Sequence, residues 1–457
     1  MYYQQRRSRR VRRFVLLAAL AAAGGVIGVA TSGGSAAPSL DVKGQAAPGA
    51  KPTPAQEKAI AAAAEKDARA AADAAVDAAL KAPRLVGDAA LRGRIDLAKM
   101  QREGDGFAVP IEGGKRRARL TIDPALQEEA GKLLKRAKAP MSAIVVMAPD
   151  GRILALAGHK QGPPVDENAY DLATTAWAPA ASVFKIVTAS ALLEAGVGAE
   201  DRVCFHGGLR SVMKTNLVDD RRDNRCENLS FAVAESNNAI VGKLAHKYLD
   251  GRKMEKAARA LGWGSAPSFA LAAEPSVIQP PSDELEFAQF AAGFWSSQLT
   301  ALDGALMTGA IATRGMKVQP RIVAEVVDAS GTRRPVVAGK PQRAIPQSVA
   351  DEIGRMMVRT TKTGTAARVF RNRRAGTPLD GIEVAGKTGS LSVDKPRYLG
   401  VSWFVAYAPA DKPEVIVAVV LGNPELWYIK AHTAARILIE KALASRAVAR
   451  PGTTAAK

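Results

Sequence analysis

Trp177-Ala178-Pro179-Ala180-Ala181-Ser182-Val183-Phe184-Lys185 closes a stretch of small residues and opens an apolar helical pattern that runs to about residue 195. Residues three apart on a helix share a face, so Lys185 stands one turn along from the Ser182 hydroxyl and within reach of its proton. A serine at a helix start also has unpaired backbone N–H groups beside its oxygen. Nucleophile, base and oxyanion donors can therefore come from one turn of chain. Taken alone, Ser-x-x-Lys is a common string, and its plain alternative is a helix-start serine followed by a surface lysine. Its weight depends on what accompanies it.

Two further polar strings follow in order. Ser236-Asn237-Asn238 interrupts helical patterns and can turn a hydroxyl and an amide into one cavity, although Ser and Asn also favour ordinary loops and caps. Lys387-Thr388-Gly389-Ser390 follows Ile382-Glu383-Val384-Ala385-Gly386. A strand edge there offers a cation at Lys387 and a hydroxyl at Thr388, while Gly389 allows close approach of a substrate backbone. The alternative is a hairpin turn. A similar string, Lys362-Thr363-Gly364-Thr365, follows a helical pattern and lacks an adjoining apolar hairpin, so it is rejected as the catalytic copy.

Outward from these strings, residues 143–148 and 153–157 are apolar runs around Pro149-Asp150-Gly151, a strand–turn–strand pattern. Residues 401–407 and 415–421 read as two late strands, and helical patterns fill much of 183–195, 229–262, 284–314 and 432–444. This order predicts an α+β fold, an antiparallel sheet flanked by helices.

The order Ser-x-x-Lys, Ser-x-Asn, Lys-Thr-Gly resembles the penicillin-binding protein transpeptidase family and its β-lactamase relatives. Leu120-Thr-Ile-Asp-Pro-Ala-Leu-Gln127 is similar to the family's leading motif, Gly364-Thr365-Ala366 to a segment upstream of Lys-Thr-Gly, and Trp403-Phe-Val-Ala-Tyr-Ala-Pro409 to the strand after it. The resemblance covers about residues 118–445. One stretch departs from it: Gly293-Phe294-Trp295-Ser296-Ser297-Gln298 stands where relatives often carry a glycine-rich turn. The resemblance implies a class B-like peptidoglycan D,D-transpeptidase that forms a serine acyl-enzyme at D-Ala-D-Ala, binds penicillin and other β-lactams, and uses no cofactor. Within it Ser182 is the nucleophile, Lys185 its base, Ser236 a proton relay, Asn238 a substrate ligand and Lys387 the second cation. Thr388, Gly389 and Ser390 serve substrate and oxyanion. A D,D-carboxypeptidase or endopeptidase uses the same residues with water as acceptor, and a non-catalytic β-lactam sensor or scaffold is a further alternative. Asn238 argues against a class D β-lactamase.

The rest of the chain bounds the setting. Of a formal net charge of +20 over 457 residues, six charges are arginines among the first thirteen residues, and no dense basic block with interleaved aromatics occurs elsewhere. Nucleic acid is therefore not the expected partner. The four histidines show no HExxH spacing and the two cysteines no CxxC, so no metal is expected. The basic start and the apolar run to Ala30 read as a signal anchor (residues 1–31), with cleavage after small residues as the alternative. A Pro/Ala/Gly linker (32–52) and an Ala-rich helix and linker region (53–117) lead to the transpeptidase domain (118–445), with a disordered tail at 446–457. The expected location is the inner membrane, single-pass, with the catalytic part outside the cytoplasm. Expected partners are peptidoglycan stem peptides and a separate glycosyltransferase, since the Ala-rich region does not suit such a domain. In that oxidising compartment Cys204 and Cys226 are expected to pair, two buried thiols being the alternative, around a surface excursion near the cleft.

Overall fold

A computed structural model describes residues 54–162, 165–166, 168–207, 210–371, 376–394 and 398–448. The expected anchor and linker lie outside them. Among the described residues no helix is long and apolar enough to cross a membrane. The chain divides into two units at Lys66/Asp67. In the first, the described residues 54–66 are helical and belong to α1 (Pro54–Lys81), whose alanines give it high helical propensity.

The second unit holds the described motifs. Its helix α2 (Pro124–Ala137) begins inside the leading motif. Asp123 caps it by accepting from the N–H groups of Ala125 and Leu126, proline takes the first helical position, and Lys138 ends it in the left-handed region. The Gln127 amide then bonds both backbone groups of Leu156, fixing the leading motif to the central sheet.

That sheet contains β1 (Met141–Met147), β2 (Ile153–Lys160), β3 (Ala385–Val393), β4 (Leu399–Ala408) and β5 (Val415–Asn423), in the order β3-β4-β5-β1-β2 with every neighbouring pair antiparallel. Helix α2 and the C-terminal helix (Ala431–Val448) cover one face, and helices Ala301–Ala312 and Gln347–Lys362 the other. Because β5 is buried on both faces, it reads as an unbroken apolar run without alternation. The C-terminal helix extends to Val448, into the stretch expected to be a disordered tail.

A second, six-stranded sheet is built from two distant parts of the chain. Strands at 101–103, 106–111 and 116–120 join those at 323–328 and 333–337, with residues 85–86 at the far edge. Buried residues on it, among them Val109, Leu120 and Val326, belong to the same hydrophobic cluster as the main core. Residues 85–117 thus contribute strands to this sheet and are not linker alone.

Two long helical patterns are broken where caps and positive φ angles intervene. Residues 229–262 form three helices, Leu229–Ala234, Asn238–Tyr248 and Gly251–Ala260, with Ser236 at φ 57° and Asn237 and Asp250 as caps. Residues 284–314 form helix Glu284–Ala291, a short strand Ser297–Leu299 and helix Ala301–Ala312, divided by Gly293 at φ 89° and Ser296 at φ 68°. Apolar periodicity continues across such breaks, because each piece buries its own face.

Candidate active site

Ser182 lies in a 3-10 turn, Ala181–Phe184, that runs directly into helix Lys185–Glu194. The turn is tightly held: Ala181 adopts φ 49°, and a Cβ on Gly293 would stand 2.3 Å from the Ala181 carbonyl oxygen. Glycine is therefore required at 293, the first residue of the stretch that departs from the family pattern. Behind the turn Phe184 packs edge-on against Trp263 and tilted against Phe290.

The expected three-residue spacing brings Lys185 Nζ to 2.9 Å from Ser182 Oγ. Nζ also donates to Asn238 Oδ1 at 2.7 Å and to the Ala292 carbonyl oxygen at 2.5 Å. The side chain is completely buried. Burial, and next the charge of Lys387, push its affinity for a proton well below that of an ordinary lysine. A neutral amine has two N–H donors and one lone pair. Asn238 Oδ1 and Ala292 O can take the two donors, which leaves the lone pair for the Ser182 hydroxyl.

Lys387 enters from β3 and is also fully buried. Its Nζ is 3.1 Å from Ser236 Oγ and 2.9 Å from the Thr388 carbonyl oxygen, and burial pushes its pKa down to about 7. Strand β3 is an edge strand of the central sheet, the kind of position at which a further chain can add. At Gly389 a Cβ would crowd Trp403, Val183 and the Ala180 carbonyl oxygen, so the edge stays close to the serine turn. The similar string at 362–365 has another role. Lys362 ends helix Gln347–Lys362 and pairs with Glu383, while Thr365 Oγ1 lies 2.7 Å from Thr388 Oγ1.

Ser182, Ser236, Asn238, Thr388 and Ser390 line one cleft of about 650 Å³; Lys185 and Lys387 are bonded to its Ser182 and Ser236, and Gly389 stands between Thr388 and Ser390 on β3. Phe294, from the stretch that departs from the family pattern, also lines the cleft, as do residues that sequence reasoning did not single out: Arg210, Glu235, Trp427, Lys430 and His432. None of the latter five lies in a motif, and only the fold brings them in. Burial, with the charge of Lys430, pushes His432 down to about 4, so it is neutral at pH 7. Cys204 and Cys226 face each other across a short antiparallel ladder and form a disulfide. The excursion that they close reaches the cleft through Arg210. No group of three or more His, Cys, Asp or Glu residues able to hold a metal occurs among the described residues.

With this geometry in view, comparison with known proteins is specific. The family described as penicillin binding protein transpeptidase domain matches residues 141–443. Penicillin-binding protein PbpB of Mycolicibacterium smegmatis is 24% identical over 368 residues, 74% of this chain and 56% of that protein. Peptidoglycan D,D-transpeptidase PbpA of Mycobacterium tuberculosis is 26% identical over 254 residues, 54% of this chain and 50% of that protein. The chain thus spans about half the length of the curated relatives it matches. Among solved structures, the D,D-transpeptidase domain of a peptidoglycan glycosyltransferase from Eggerthella lenta superposes with a TM-score of 0.60 at 26% identity, covering 72% of this chain and 84% of that one. The ceftriaxone acyl-enzyme of penicillin-binding protein A from M. tuberculosis shares the fold, with a TM-score of 0.58 at 22% identity and coverage of 72% and 80%.

Proposed function

We propose, since this chain belongs to the penicillin-binding protein transpeptidase family, that it is a serine D,D-transpeptidase that cross-links peptidoglycan stem peptides and is acylated by β-lactams. Ser182 Oγ attacks the carbonyl carbon of the penultimate D-Ala, and its proton passes to the Lys185 amine. The C–N bond to the terminal D-Ala breaks, and the leaving amine receives the proton through Ser236. An ester on Ser182 remains, which an acceptor amine then attacks. Backbone N–H groups of Ser182 and Ser390 hold the developing oxyanion, where losing one donor typically costs roughly 100- to 1000-fold. Asn238 bonds the donor amide. Lys387 with the Thr388 and Ser390 hydroxyls holds the terminal carboxylate, and Gly389 admits the donor backbone. The carboxypeptidase reading differs only in replacing the acceptor amine by water. The proposed setting is the outer side of the inner membrane, with the first 31 residues as anchor and a separate glycosyltransferase supplying the strands.

One observation carries this reading: Lys185 is a buried amine whose partners are the Ser182 oxygen and two carbonyl-type oxygens, with no carboxylate among them. A lysine kept for structure would be expected to have an anionic partner at such burial. The test is covalent labelling of the purified full chain with a fluorescent penicillin, repeated with Ser182→Ala. Label on the wild type alone is the expected result, and persistence of label in the variant would falsify the assignment. Scoring cross-linked against trimmed stems on lipid-linked polymer separates transfer from hydrolysis.

A further inference from the structure

The amide of Asn238 has a fixed orientation. Its Oδ1 accepts from Lys185 Nζ at 2.7 Å, while its Nδ2 donates to the backbone carbonyl of Arg210 at 2.7 Å. Turned by 180°, the amide would present Nδ2 to Lys185. The neutral amine would then spend its lone pair on that donor and lose it for Ser182. The choice between the two orientations falls to the Arg210 carbonyl, on an excursion that leaves the body at Val203 and returns at Glu227.

That excursion is fastened independently of the cleft. At its base, Cys204 and Cys226 are cross-strand partners joined by the disulfide. Further along, Lys243 on helix Asn238–Tyr248 donates to Asp223 Oδ2 at 2.6 Å and to the Cys204 carbonyl oxygen at 2.9 Å, and it pairs with Asp219 at 2.8 Å. His206 Nδ1 lies 2.6 Å from the other Asp223 oxygen. Lys243 and Asp223 are both buried at this junction, with side-chain exposures of 7% and 8%. Closer to the cleft, the Gln289 amide donates to the Val212 carbonyl, and Val212 packs against Gly242 so closely that a Cβ there would stand 2.9 Å away. Asn238 and Lys243 lie on the same helix. The excursion is therefore tied at Lys243 to the element whose first residue it orients.

We propose that residues 210–227, held by the Cys204–Cys226 disulfide and by the Lys243–Asp223 pair, form a strap that positions the Asn238 amide and so keeps the Lys185 lone pair on Ser182. Arg210, Lys243, Cys204 and Cys226 are positioning residues that act through Asn238. The inference rests on the reading of Lys185 as base. The other charged or titratable groups at this cleft are Lys387 from β3 and the lining residues Arg210, Glu235, Lys430 and His432.

The experiment follows the rate of penicillin acylation of the full chain as a function of pH, with a melting curve at each step. Wild type is compared with Lys243→Met, with Cys204→Ala/Cys226→Ala, and with wild type after reduction. Each cuts one fastener and leaves the residues of the cleft in place. A folded variant with the amide released should show a plateau rate lower by about 10-fold, the worth of one well-placed hydrogen bond. Its ascending limb should also move to lower pH, because a donor facing Lys185 disfavours the ammonium. A merely structural role would scale the profile without moving the limb. An unmoved limb in the folded variants overturns the strap, as does loss of the fold whenever either fastener is cut, which would make the excursion a folding element. Absence of Ser182 labelling in the wild type would instead defeat the catalytic reading.

Discussion

Lys185 and Lys387 are both wholly buried, and the charge of Lys387 is second only to burial in lowering the proton affinity of Lys185. Neither has a carboxylate partner in the interactions described above, so both oppose folding at neutral pH. The unfolded chain holds a lysine proton up to the ordinary value of 10.5, whereas folded Lys387 releases it at about 7. Between these values the unfolded state binds more protons, so stability rises with pH across that window and the penalty is full below it. Lys387→Met should therefore raise stability at pH 7 by on the order of 4 kcal/mol while abolishing penicillin labelling. Its melting temperature should also climb less between pH 7 and 9.5 than that of the wild type. A variant less stable than the wild type at pH 7 would refute the argument.

The two similar strings give a sharper comparison. Lys362 is about half exposed and pairs with Glu383, an arrangement typically worth about 1 kcal/mol or less. Lys362→Ala should label with penicillin at the wild-type rate, within about twofold. Lys387→Ala should lose labelling by 100-fold or more, an effect on the scale of a missing transition-state cation. Equal losses in the two would reverse the assignment of the motif.

Gly293→Ala tests whether the departing stretch is part of the machinery. The added Cβ meets the Ala181 carbonyl at 2.3 Å in a backbone at φ 89°. Strain of the left-handed region and overpacking together should cost roughly 2–4 kcal/mol. The residue before it, Ala292, supplies a carbonyl to Lys185, and Ala181 precedes the nucleophile. Acylation should therefore fall by at least about 10-fold even where the protein remains folded. Trp295, two residues on and 59% exposed, should tolerate alanine with unchanged melting temperature. Melting curves and labelling rates of both variants decide it.

These contrasts show what a single sequence could and could not reveal. Lys185 was legible from Ser182 because helix geometry alone places residues three apart on one face. The two late strands were legible because burial on both faces leaves continuous apolar letters. The break at 292–300 was not, since apolar patterns lie on both sides of it and only the cap at Thr300 and the positive φ angles at Gly293 and Ser296 mark the change. The second sheet was hidden for another reason: residues 116–120 and 323–328 pair across some 200 positions, and neither strand by itself specifies a partner. Arg210 was invisible because its contribution to Asn238 is a backbone carbonyl, which every residue type possesses.

Asp88 shows the same dependence on long-range backbone in a form that a titration can read. Its carboxylate is fully buried and accepts from three backbone N–H groups: Ala270 on one oxygen, at 3.0 Å, and Ile322 and Val323 on the other, at 2.5 and 3.1 Å. It thereby joins the chain near residue 88 to the segment that starts the 323–328 strand. Burial outweighs these bonds and pushes its pKa up to about 6. From pH 3.8 to about 6 the folded state keeps a proton that the unfolded chain has released, so the contribution of Asp88 falls as pH rises through that window. Asp303, also pushed up to about 6 by burial, adds to the same slope. Asp88→Asn should remove the Asp88 share of the decline. At pH 4.5 and below, where wild-type Asp88 keeps its proton, it should destabilise by roughly 1–3 kcal/mol, because the amide nitrogen cannot accept and one N–H group loses its partner; the deficit should shrink as pH rises towards 7, where the wild type carries the cost of the buried charge. Denaturant melts of wild type and variant at pH 4.5, 5.5 and 7 check both parts. A wild-type decline that survives unchanged in the variant would place its origin elsewhere.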